Sequence, residues 1–88
     1  MKTIYKYEFE IQDYFSIEMP HGAKILKVDA QSLTPCIWAE VDTDSPRDFR
    51  QFQVYGTGHE IKDSDLIYIG TFQMASCVWH LYERKVNP

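Results

Sequence analysis

The chain is 88 residues long, with thirteen acidic and nine basic residues and a formal net charge of −4. That length makes one domain, and the acidic balance argues against a general nucleic-acid binder, which needs a basic stripe to displace counterions. A hydrophobic content of 44% with 15% aromatic residues argues against a disordered chain.

No apolar run reaches membrane-spanning length, so no membrane association is expected. Met1-Lys2-Thr3 leads straight into a strand-like pattern with no leader composition, which reads as a cytosolic chain. Cys36 and Cys77 both sit inside apolar runs, where buried free thiols are expected rather than a bridge.

Residues 3–11 alternate strictly. Tyr5, Tyr7, Phe9 and Ile11 fall on one face and Lys6, Glu8 and Glu10 on the other, the pattern of a half-buried strand. After a turn at Gln12-Asp13, residues 14–19 are a second extended piece, ended by Pro20-His21-Gly22. Residues 23–30 alternate again, with Leu26, Val28 and Ala30 opposed to Lys27 and Asp29, and Ile25 breaks the pattern. Residues 36–41 are apolar on both faces as far as Glu40, as in a central strand or one with a binding face.

A polar loop over 42–48 precedes a strand at 49–55, and the two flanking strands pair most simply as a hairpin. Residues 66–72 and 77–82 read as buried-type strands joined by a short link, again a hairpin. A short helical turn fits around Ser64-Asp65-Leu66, capped by Ser64 or Asp63. Residues 84–88 read as a frayed tail. No window holds a 3.6-residue period. The expected fold is therefore all-β and mainly antiparallel, a small sandwich or barrel of six or seven strands with at most one helical turn.

Chemistry is harder to find. His21, His59, His80, Cys36 and Cys77 show no ligand spacing, so no metal and no cofactor is expected. Neither cysteine sits at a turn that would present a nucleophile, and His80 alternates with Val78 and Tyr82 as a packed histidine would. No enzyme is expected. Tyr5, Tyr7, Phe9, Phe52 and Phe72 are assigned to the core. Trp38, Tyr55 and Trp79 lie in strands with two apolar faces and, with the acidic Glu40 and Asp42, form the candidate protein-binding surface.

The stretch Tyr55-Gly56-Thr57-Gly58-His59 has a second reading. Its glycines permit a corner between strands, or a turn whose N–H groups meet an anion. It lacks the Lys-Ser/Thr and the helix of a phosphate loop. A nucleotide site would draw on Gly56, Thr57, Gly58, His59 and Lys62, with Arg47 and Arg50 on phosphate.

Whole phrases also carry a resemblance. Met1-Lys2-Thr3-Ile4-Tyr5-Lys6-Tyr7, Ile17-Glu18-Met19-Pro20 with Gly22-Ala23-Lys24-Ile25-Leu26, and Tyr55-Gly56-Thr57-Gly58-His59 resemble a family of short proteins of unknown function found in phages, prophages and their bacterial hosts. Pro35-Cys36-Ile37-Trp38-Ala39 with Val41-Asp42, and Tyr68-Ile69-Gly70-Thr71-Phe72-Gln73, belong to the same pattern. The resemblance spans nearly the whole chain and carries no catalytic residue across. It implies a mobile-element context, in which small acidic proteins often bind and block host defence components. The expectation is a non-enzymatic accessory protein acting in the host cytoplasm on a host protein. A protein sequestering a signalling nucleotide, binding at a homo-oligomer interface, is the alternative, and a minor structural phage protein a further one.

Overall fold

The computed structural model describes residues 1–86, all of whose regular elements are strands. They are β1 (Lys2–Glu8), β2 (Tyr14–Pro20), β3 (Lys24–Gln31), β4 (Thr34–Asp42), β5 (Arg47–Gly56), β6 (Leu66–Met74) and β7 (Cys77–Arg84). The turn expected at Ser64 is a bend, and no helix long and apolar enough to cross a membrane exists among the described residues. All pairings are antiparallel, in a three-stranded sheet ordered β1-β4-β3 and a four-stranded sheet ordered β2-β5-β7-β6. The result is a sandwich, not a closed barrel.

The core lies between the sheets. Ile37, Ala39 and Val41 of β4 meet Phe52 and Val54 of β5, Leu81 of β7, Met19 and Phe72. Phe9, just beyond β1, stacks on Phe15 at 4.7 Å between ring centroids, and Phe15 stacks on Phe52 at 5.4 Å. Each buried ring of this kind contributes about 1.5–3 kcal/mol. At one end of the core Arg50 holds Glu83 through two hydrogen bonds of 2.6 and 2.7 Å, and it also donates to the Ala23 carbonyl. The Glu83 contact raises the Arg50 pKa, which keeps the guanidinium of this little-exposed pair charged.

Two expectations about pairing differ in outcome. The β6–β7 hairpin forms, through a two-residue turn with Ala75 at positive φ. The hairpin joining 36–42 to 49–55 does not. β4 is flanked on both sides, by β1 and β3, which leaves β5 no edge to pair with, so the Asp42–Arg47 link crosses between sheets. The two apolar faces of β4 follow from that central place. β4 instead forms a hairpin with β3, through Ser32 and Leu33. Both have positive φ, the backbone of a type I′ turn without its usual glycine.

The break at Ile25 has a local cause. A bulge between Ile25 and Lys27 displaces Leu26, so Ile25 and Val28 share the inner side and Leu26 faces solvent. A second bulge lies between Tyr68 and Gly70 on β6, the strand of the other sheet that packs on β3. A side chain at Gly70 would come within 2.8 Å of Val28 Cγ1, so the seam admits only glycine without movement.

Several burial expectations are corrected. Tyr5 is exposed and Tyr7 half-buried, because β1 is the outermost strand and the second sheet does not reach over it. β6 is likewise an edge, which leaves Ile67 and Tyr68 in solvent. Both cysteines are free. Cys36 is buried and donates to the Thr34 carbonyl at 3.4 Å, whereas Cys77 opens β7 beside a turn and is exposed. β7 continues to Arg84, and the Lys85 N–H donates to Asp65 O at 2.9 Å, so the chain is held beyond the point where fraying was expected. Residues 87 and 88 of that tail lie outside the described residues.

Candidate functional site

Strand alternation assigns side chains to the outer face of the four-stranded sheet. One row crosses all four strands as Tyr14, Gln53, Tyr82 and Tyr68. The next contains Tyr55, His80 and Thr71. Four of the six tyrosines thus share one surface. Tyr82 lies at its centre and meets Tyr55 edge-to-face at 5.6 Å and 83°, and Tyr68 at 5.5 Å and 65°. Tyr14 is 63% exposed and Tyr68 55%, so the flanks of the ladder are open.

The floor of this surface is polar and satisfied. Gln53 is buried although it points outward, because the 57–65 loop folds over it. Its Nε2 donates to Asp63 at 2.9 Å and its Oε1 accepts from the Tyr55 hydroxyl at 2.5 Å. Burial and then the Asp63 carboxylate raise the Tyr55 pKa, which keeps the phenol a donor. His80 is held at both ring nitrogens, Nδ1 by the Thr71 hydroxyl and Nε2 by the Thr57 hydroxyl, each at 2.9 Å. Tyr68 extends the chain to Thr71 at 2.5 Å. Such a histidine is fixed in orientation, with each ring nitrogen held by a threonine hydroxyl. Among the described residues no group of three or more His, Cys, Asp and Glu could hold a metal ion.

The expected protein-binding residues divide. Trp38, Glu40 and Asp42 stay together on the outer face of the three-stranded sheet, where Trp38 is half-buried between its register neighbours Lys6 and Lys27. The Asp44 backbone N–H, and after it the N-terminal ammonium at 3.2 Å, lower the Asp42 pKa. Tyr55 is on the opposite surface of the molecule. Trp79 points inward against the core, and its buried indole N–H meets no acceptor among the described residues.

The nucleotide set divides further. Gly56 to His59 form a tight turn with Gly58 at positive φ, as a type II turn requires. Its donors are turned inward. Gly56 N–H donates to His59 Nδ1 at 3.1 Å, His59 N–H to Gly56 O at 3.0 Å, and Thr57 N–H to Val78 O at 3.4 Å. The His59 ring lies so close that a Cβ on Gly56 would come within 2.9 Å of it. Arg50, on the same strand, lies roughly 20 Å from Gly56 by strand rise and is paired with Glu83. Arg47 is 3.7 Å from Glu18, and Lys62 is exposed in the loop. The two arginines line an open cleft of about 780 Å³ with Phe49 and Ile67, and the glycine turn lines another of about 390 Å³ with Trp79.

Tyr14, Tyr68, Tyr82 and Thr71 were not singled out from the sequence. The signal lay in parity, since His80 and Tyr82 alternate on one strand, but which face stays uncovered depends on the sheet order.

The family model described as "Domain of unknown function (DUF7352)" matches residues 1–88. No curated protein and no solved structure matches the chain. The chain belongs to that domain family.

Proposed function

We propose that this member of the family is a protein-binding accessory domain, without catalysis of its own, that docks through the tyrosine-lined face of its four-stranded sheet. The observation that carries the reading is the ladder of Tyr14, Tyr55, Tyr82 and Tyr68 on one outer surface. Tyrosine supplies large amphipathic contact area at low entropic cost, and rings already fixed by edge-to-face packing lose less on binding. The resemblance to short phage and prophage proteins supports a host protein as the partner, with inhibition of a bacterial defence component in the host cytoplasm as the outcome.

The nucleotide alternative has less support, since three N–H groups of the glycine turn donate within the protein and its arginines lie at the other end of β5. Affinity capture from host lysate, with wild type beside Tyr68→Ala and Tyr14→Ala, tests the docking face. A partner retained by wild type and lost by both variants is the expected result. A partner retained equally by all three places the contact elsewhere, and stabilisation by cyclic nucleotides in a thermal-shift screen favours sequestration instead.

A further inference from the structure

The tyrosine face leaves β1 unused. Among the described residues β1 pairs with β4 on one side and with nothing on the other. Its ladder has a defined parity: Thr43 N–H donates to Met1 O and Phe9 N–H to Pro35 O, at the two ends of a register in which Tyr5 opposes Ala39. The odd residues therefore hydrogen-bond β4, and Lys2, Ile4, Lys6 and Glu8 turn their N–H and C=O groups to the open edge. Such an edge is a template for another strand. Its apolar side chains are also uncovered, with Ile4 57% exposed and Tyr5 38% exposed.

We propose that the occupant of this edge is a second copy of the chain, its β1 running antiparallel to the first about a two-fold axis at Tyr5. The charges choose that register. Centring on Tyr5 places Lys2 opposite Glu8 of the other copy, twice, and Ile4 opposite Lys6. A shift of the axis to Ile4 would oppose Lys2 to Lys6, and a shift to Lys6 would oppose that lysine to itself; like charges directly opposite are destabilising. An axis at Tyr7 keeps the hydrogen-bonding parity and opposes Lys6 to Glu8 twice, but it overlaps only residues 6–8 of β1. The Tyr5 axis combines that parity and two opposite-charge pairs with pairing along the whole strand. Tyr5 then falls at a non-hydrogen-bonded position, where side chains across the axis come closest. The two three-stranded sheets become one continuous sheet, and both tyrosine faces stay free.

Sedimentation analysis of the untagged chain over the micromolar range tests this, against a single-chain mass of 10.4 kDa. The expected result is twice that mass, with a dimer weakened about tenfold or more by Lys2→Glu or Glu8→Lys alone and restored by the two together. Ile4→Pro removes an edge N–H that does not face β4, so it blocks dimerisation while the thermal melt of the folded chain persists. A single-chain mass for wild type throughout, a dimer indifferent to these changes, or failure of the combined charge reversal to restore it overturns the proposal.

Discussion

The two outward faces of this sandwich are built from different chemistry. Around Trp38 the three-stranded sheet places Lys2, Lys6, Lys24 and Lys27 among Glu8, Asp29, Glu40 and Asp42. The four-stranded sheet places tyrosines around a histidine whose ring nitrogens are both occupied. A charge-balanced face is strongly hydrated, and removing water from it costs about as much as new ion pairs return. A tyrosine face gives up less water per unit area and has fewer torsions to freeze. That difference is what favours the aromatic surface for the proposed docking, although a lone tryptophan among charges is the more conspicuous feature in the sequence.

The strongest way to break the comparison is to loosen the joint beneath both faces. Glu83→Gln leaves the Arg50 cation facing a neutral partner and is expected to cost about 3 kcal/mol or more in urea unfolding. Replacing the pair together with Met and Leu should recover most of that. Tyr68→Ala is expected to weaken partner binding by about 2 kcal/mol with a stability change under about 1 kcal/mol. Trp38→Ala should do the reverse, lowering stability by about 1–2 kcal/mol through lost packing while capture of the partner is unchanged. If Trp38→Ala instead abolishes capture and Tyr68→Ala does not, the faces have been assigned the wrong way round.

Gln53→Ala should cost about 1–2 kcal/mol, because Asp63 and the Tyr55 hydroxyl lose their partner together. Amide exchange would rise over residues 57–65 and not on the lysine face. The smallest effects come from the exposed ions at the start of β1. The Asp42 pKa is lowered in the folded chain, so its contribution is present above the unfolded value of 3.8 and fades as the pH falls through the folded value below it. The pKa of the N-terminal ammonium is raised, so its contribution is complete below 8.0 and is lost as the pH rises through the higher folded value. Asp42→Asn should flatten the acid limb of the melting-temperature profile, and N-terminal acetylation the alkaline limb.

Much of the fold was legible because strand alternation is a local signal. Every strand was foreseen, and the irregularity at Ile25 marked a real bulge. Sheet order was not legible in the same way, since β4 could look like a hairpin partner of β5 until its two neighbours were known. The candidate site shows the same limit. Tyr55 was singled out, whereas Tyr14, Tyr68 and Tyr82 gain meaning only when β2, β5 and the β6–β7 hairpin are set side by side. Trp79 has the composition of a contact residue, yet alternation on β7 turns it inward.

The strand order also has a kinetic consequence. Only β3–β4 and β6–β7 join neighbours in the chain, while β1–β4, β2–β5 and β5–β7 each close a long loop. A topology so dominated by remote pairing folds in milliseconds to seconds, with the two hairpins able to form early and the closures following. Between those hairpins stands the contact of Gly70 with Val28, the place where one meets the other. If their docking limits the rate, Gly70→Ala should slow refolding in stopped-flow fluorescence more than it speeds unfolding.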